Sequence, residues 1–124
     1  METDLNNCKI YIWKEDFSII KSKRVYPHAF ANVVDKNEIT VVVEESKYDE
    51  SDIIEISRGW KILTFDMILP FELIGFLAKI SSALAEENIS IFVVSAYSTD
   101  HILVRKKDLL KAIKKLKSLG CIVK

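Results

Sequence analysis

An α+β fold is predicted from three features of the sequence. Short runs of β-branched and aromatic residues dominate residues 8 to 65, including "FSIIKS", "NEITVVVEES" and "GWKILTF". Apolar Leu73, Leu77, Ile80 and Leu84 then recur at helical spacing, and a second helical pattern follows over about 107–118. Strands flank both helices, so the second half reads β-α-β-β-α-β. With 124 residues, 49% of them hydrophobic and 10% aromatic, the chain has the material for a buried core.

The elements follow in chain order. Residues 8–13 and 17–23 read as two strands broken at Lys14-Glu15-Asp16, which predicts a hairpin. Tyr26-Pro27-His28 marks a loop, because proline donates no ladder hydrogen bond and steers its predecessor away from helical angles. A short strand at 30–34, a turn at Asp35-Lys36-Asn37 and a strand with Ile39, Val41 and Val43 on one face come next. The polar stretch 46–58 suits a connector, and Gly59 opens a strand in which Trp60, Ile62 and Thr64 alternate with Lys61, Leu63 and Phe65.

Pro70 sits where a first helical turn tolerates proline, which places a helix over "FELIGFLAKISSALAEEN" with Asn88 as its C-terminal cap. A strand at 90–97, a turn at Ser98-Thr99-Asp100, a strand at 101–105, the 107–118 helix, Gly120 as cap and a final strand "CIVK" complete the reading. That order implies antiparallel sheets of the ferredoxin-like βαββαβ kind with both helices on one face. The first half looks like a helix-poor copy of the same unit, so two units are expected, 1–58 and 59–124.

Composition narrows the function. Eighteen basic residues balance eighteen acidic ones, which removes the electrostatic reason to expect nucleic acid or an anionic membrane as partner. No apolar run approaches the ~18 to 20 residues of a membrane span, and Met1 to Asn7 lacks a signal-peptide pattern, so a cytoplasmic location is expected. The two cysteines, Cys8 and Cys121, have no metal-binding spacing and are expected as reduced thiols. No glycine-rich phosphate loop, nucleophile elbow or glycine- and aromatic-rich RNA-binding strand is present. His101 follows Asp100 on a strand, where adjacent side chains point to opposite faces; the pair is not an orienting dyad, and no catalytic residue is assigned. The lysines at 106, 107, 111, 114, 115 and 117 read as a solvated helix face, and Trp13 and Trp60 as packing residues.

From "FSIIKSK" through "GWKILTF", "LAEENISIF" and "STDHILV", the sequence resembles the ACT-domain superfamily, and more closely the CASTOR-type proteins built from two ACT units in tandem. The resemblance spans about residues 8 to 119. It implies a pair of ferredoxin-like units, the first reduced in helix. It also implies a regulatory or sensor role, with no enzymatic activity and no cofactor or metal. The expected ligand is an amino acid held at an interface between ACT units, in a homodimer that acts on a separate regulated protein. The alternative is an association module that drives homodimerisation without a functional ligand.

A free amino acid needs donors for its carboxylate and acceptors for its ammonium within a few ångströms. A helix N-terminus after the turn Asp66-Met67-Ile68-Leu69-Pro70-Phe71 offers unpaired N–H groups, and Gly75 one turn later allows close approach. The resemblance assigns the ligand loop to this turn. Asp100 would accept the ammonium, with hydroxyls from Ser98 and Thr99 beside it. The expected ligand residues are therefore Asp66, Ile68, Leu69, Phe71, Gly75, Ser98, Thr99 and Asp100. Ile68, Leu69 and Ile74 would favour a branched or aromatic side chain. Turn chemistry alone also accounts for Thr99 and Asp100, and helix–sheet packing for Gly75.

Overall fold

The computed structural model describes residues 8–66 and 75–124. Among the described residues, eight strands and two helices follow in the order β1 (Lys9–Ile12), β2 (Phe17–Ser22), β3 (Ala31–Val34), β4 (Ile39–Glu44), β5 (Ile53–Phe65), α1 (Phe76–Glu86), β6 (Ile91–Ser95), β7 (Asp100–Arg105), α2 (Leu109–Ser118) and β8 (Ile122–Val123). The fold is α+β with an antiparallel-rich sheet and two helices.

The chain divides into two compact units, Met1–Trp13 with Lys61–Lys124, and Lys14–Trp60. The expected division at 58/59 leaves β1 outside the unit in which it is paired. A hairpin of β1 with β2 is also not what forms. β1 runs antiparallel to Leu63–Phe65 of β5 and parallel to β8, whereas β2 runs antiparallel to β4 and to Ile53–Trp60 of β5. Lys14-Glu15-Asp16 therefore links two pairings made with one long strand. The local turn signal was genuine, but long-range pairing decides where each strand goes.

In the unit containing the helices, the strand order is β6-β7-β5-β1-β8. The β5-α1-β6-β7-α2-β8 succession is the ferredoxin-like unit, with β1 inserted between its first and last strands. Ile10, Leu63, Phe65, Ile102 and Val104 share one face, as the period of two requires, and bury against Phe76, Ile80 and Leu84 of α1 and Ala112 and Leu116 of α2. Leu77 and Leu109 pack at the margin of this cluster; Leu73 lies outside the described residues.

Both helix ends match the sequence reading. Ile89 N–H donates to Leu84 O (3.0 Å) and Asn88 N–H to Ala85 O (2.9 Å), with Asn88 left-handed at φ 59. Cys121 N–H donates to Leu116 O (3.1 Å) and Gly120 N–H to Lys117 O (3.0 Å), with Gly120 at φ 104. Each pair satisfies carbonyls that a helix end otherwise leaves unbonded.

The start of α1 differs from expectation. Gly75 is not one turn inside a helix; it is the N-cap, at φ 87 and ψ −2, and the helix begins at Phe76. A left-handed residue breaks the repeat of helical angles, and glycine takes that conformation without a side-chain clash.

Cys8 and Cys121 form a disulfide, contrary to the expectation of two reduced thiols. They are 113 residues apart in sequence, but the parallel pairing of β1 with β8 brings their Cα atoms to 4.6 Å, within reach of a bridge.

The other unit orders its strands β3-β4-β2-β5 and contains no α-helix, only a 3-10 turn at Glu50–Asp52. Its core gathers Ile20, Tyr26, Val41 and Val43.

Candidate ligand site

The expected site residues are placed unevenly. Ile68, Leu69, Phe71 and Ile74 lie outside the described residues. Asp66 directly follows β5; it is exposed, and its N–H donates to Lys9 O at 2.7 Å. That bond extends the β1–β5 ladder by one residue and fixes where the 66–75 connection leaves the sheet. Gly75 ends the same connection. A Cβ built on it would meet nothing within 4 Å, so the space beside it is open. Beyond it, Lys79 N–H donates to Gly75 O (3.0 Å), the bond that opens α1.

Ser98, Thr99 and Asp100 form the tip of the β6–β7 hairpin. Ser95 pairs with Asp100 in the last ladder rung, and Ala96 N–H donates to Thr99 O at 2.9 Å across the loop. Tyr97 and Ser98 are exposed; Thr99 and Asp100 are partly covered. Among the described residues no side-chain hydrogen bond or ion pair joins Asp66 to Ser98, Thr99 or Asp100.

A part-buried polar chain centred on Thr64 adjoins this tip, and sequence reasoning missed it. Trp13 Nε1–H donates to Thr64 Oγ1 at 2.7 Å, and Thr64 Oγ1 lies 2.8 Å from His101 Nδ1. Thr64 is 2% exposed. An indole N–H only donates, so the Thr64 oxygen accepts from Trp13, and its one hydrogen is available to His101 Nδ1. With Thr64 donating, the imidazole is neutral with its proton on Nε2; with Thr64 accepting a second bond, Nδ1 carries the proton, so the roles follow the tautomer. Burial pushes the His101 pKa below its ordinary value of 6.5, against a weaker upward pull from Asp100. The recoverable sequence signal was parity: Trp13, Thr64 and His101 each alternate with the residues that face the helices, Ile12, Leu63 and Ile102.

A second polar cluster holds together the loops of the Lys14–Trp60 unit. The Tyr26 hydroxyl donates to Asp52 Oδ2 and accepts from Asp49 N–H at 2.9 Å; Arg24 Nε–H donates to the same Asp52 oxygen at 2.9 Å. The Arg24 guanidinium sits 3.9 Å above the Tyr26 ring, and His28 meets its edge. Burial, then the Asp52 carboxylate, raises the Tyr26 pKa above its ordinary 10.0. A broad open depression lined by Arg24, Tyr26, His28 and Lys47 borders the cluster. On the helical side of the other unit, Ala78, Ser82, Ala83 and Leu119 line a groove of about 320 Å³, at whose rim Lys115 Nζ meets Glu86 (3.1 Å) and Glu87 (3.9 Å). That contact qualifies the reading of the lysines as a purely solvated face. Among the described residues no cluster of His, Cys, Asp and Glu is suited to hold a metal ion, and no helix is long and apolar enough to cross a membrane.

The model of the ACT domain matches residues 55–118, which run from β5 through α2 and include both the 66–75 connection and the hairpin tip. The chain belongs to the ACT-domain family. No curated protein matches the sequence. Among solved structures, a protein from Agrobacterium tumefaciens aligns with a TM-score of 0.82 at 24% identity, over 94% of this ACT protein and 92% of that chain. A Vibrio cholerae protein of unknown function, described as a possible transport protein, aligns at 0.76 and 20% identity over the same shares. The regulatory subunit of aspartate kinase from Thermus thermophilus aligns at 0.65 and 8% identity, over 89% of this chain and 95% of that one. At these identities the likeness is one of fold.

Proposed function

We propose that this ACT protein is a regulatory or sensor module that binds a small molecule, an amino acid, held at an interface between ACT units, and has no catalytic role of its own. In this reading Lys14–Trp60 is a second, helix-poor ACT-like unit in tandem. The observation that carries the reading is the match of the ACT domain to 55–118, because that span contains a helix start preceded by left-handed Gly75 and a polar hairpin tip ending in Asp100. The first offers amides to a carboxylate and the second an acceptor to an ammonium. The fold shared with a regulatory subunit of aspartate kinase supports a regulatory role. Asp66, Ile68, Leu69, Phe71, Gly75, Ser98, Thr99 and Asp100 are the residues assigned to the ligand, and the regulated protein is a separate chain. A cytoplasmic location accords with this role.

Thermal shift against the twenty amino acids, each at millimolar concentration, tests the proposal. One or a few should raise the melting temperature, and Asp100→Ala should abolish the response. No shift with any of them would overturn it.

A specific observation favours a second reading, association without a ligand. β3 pairs only with β4 among the described residues and exposes Val33 and Val34 by 50% and 65%, an unprotected sheet edge. Sedimentation velocity separates the two readings: a ligand-linked change in mass supports the sensor, and a dimer indifferent to every amino acid supports the association module.

A further inference from the structure

β8 is the shortest strand among the described residues, held by backbone hydrogen bonds to β1, by Val123 at the margin of the core and by the Cys8–Cys121 bond. This strand has two residues, Ile122 is 53% exposed, and among the described residues its only strand partner is β1. Its register is set by Ile122 N–H to Cys8 O (2.8 Å), Lys124 N–H to Ile10 O (2.8 Å) and Ile12 N–H to Lys124 O (3.3 Å). A short strand with a mostly solvated side chain belongs to the part of a structure that opens most readily. Cys121, which precedes β8, is 5% exposed, and its sulfur is bonded to that of Cys8, 1% exposed, at the head of β1. β1 itself is held independently by β5.

We propose that the Cys8–Cys121 pair is a thiol–disulfide switch that fixes or releases β8. In the dithiol form, fraying of β8 exposes the Cys121 thiol. Its thiolate attacks a low-molecular-weight disulfide such as glutathione disulfide, breaking that S–S bond, forming a mixed disulfide and expelling one thiolate. When β8 reseats, the Cys8 thiolate attacks the Cys121 sulfur and expels the second. The two cysteines have lost two protons and two electrons, and the reagent leaves as two thiols. Two equivalents of thiol reverse the sequence. Because both sulfurs are buried when β8 is seated, strand opening gates exchange in either direction. The reduced protein intermittently bares the β1 edge, whose N–H and C=O groups then lack the β8 ladder; the oxidised protein does not.

The test uses the full chain, either reduced or oxidised with glutathione disulfide. Thiols are counted after denaturation without reductant, and amide hydrogen exchange is followed in both states. Oxidation should take the count from two to none. Ile122 and Lys124 should exchange about tenfold faster in the reduced protein, while amides in the β1–β5 pairing change little. Cys121→Ala should exchange like the reduced protein under either treatment. If that variant does not fold, the comparison of reduced and oxidised wild type decides alone. Persistence of two thiols after oxidation, or equal exchange of Ile122 and Lys124 in the two states, would overturn the proposal.

Discussion

Thr64 Oγ1 and His101 Nδ1 lie 2.8 Å apart, joining β5 to β7 through side chains where the hairpin leading to Asp100 begins. With Trp13 donating to the same hydroxyl, a single oxygen ties β5 and the start of β7 to the residue that follows β1.

Thr64→Val keeps the shape but leaves the Trp13 N–H without its acceptor and His101 Nδ1 without its hydroxyl partner. A loss of about 1–3 kcal/mol is expected, the cost of stranding buried polar groups. Thr64→Ser should recover most of it. Urea denaturation of the three proteins measures this; a valine variant as stable as wild type would show that the chain contributes nothing net.

The His101 pKa is lowered on folding, so the folded state binds this proton less readily than the unfolded chain, whose value is near 6.5. Its contribution to stability is therefore complete above about pH 6.5, declines as the pH falls below it, and levels off once the lower folded value is passed. Urea midpoints at several pH values for wild type and His101→Gln should diverge in that sense. A ¹⁵N spectrum near pH 8 reads the tautomer: a bare Nδ1 with Nε2 protonated is expected where Thr64 donates, and a protonated Nδ1 makes Thr64 the acceptor of both bonds.

Tyr26→Phe removes the donor to Asp52 and the acceptor for Asp49 N–H at a residue only 2% exposed. The expected cost is about 1.5–3 kcal/mol, since one partner is a carboxylate. A double-mutant cycle with Asp52→Asn should return a coupling energy clearly above zero; strict additivity would mean that the two residues act independently.

Gly75→Ala isolates backbone strain, because the added Cβ meets nothing within 4 Å while φ is 87. A destabilisation of roughly 1–2 kcal/mol is expected. Gly75→Asn should cost less, since asparagine visits the left-handed region more readily. Equal effects from alanine and asparagine would argue that something other than the dihedral is at stake.

Local chemistry was well encoded in the sequence and long-range pairing was not. Asn88 and Gly120 announce helix ends because a cap depends on residues within one turn, and the structure forms both. Alternation in β5 correctly separated Leu63 and Phe65 from Ile62 and Thr64. By contrast, nothing near Lys14-Glu15-Asp16 reveals that β1 and β2 each pair with β5, and nothing near Cys8 points to Cys121. Gly75 was singled out for close approach and not for its dihedral, because helical periodicity on both sides hid its place as the N-cap of α1. Of the candidate site, the hairpin tip was legible from turn residues. Trp13 and His101 were not recognised as partners, because what joins them is a threonine on a third strand.

The insertion of β1 between β5 and β8 has a kinetic consequence. The strand's contacts reach 51 positions ahead at Trp13 with Thr64 and 113 at Cys8 with Cys121. Closing such loops costs chain entropy before any contact offsets it, and domains dominated by distant pairings fold slowly. During synthesis, residues 8–12 wait unpaired until β5 appears, and the sheet beside them stays open until β8 is made. The apolar Ile10 and Ile12 lack their sheet partners throughout that interval, which leaves this short segment in need of protection while the chain is being translated.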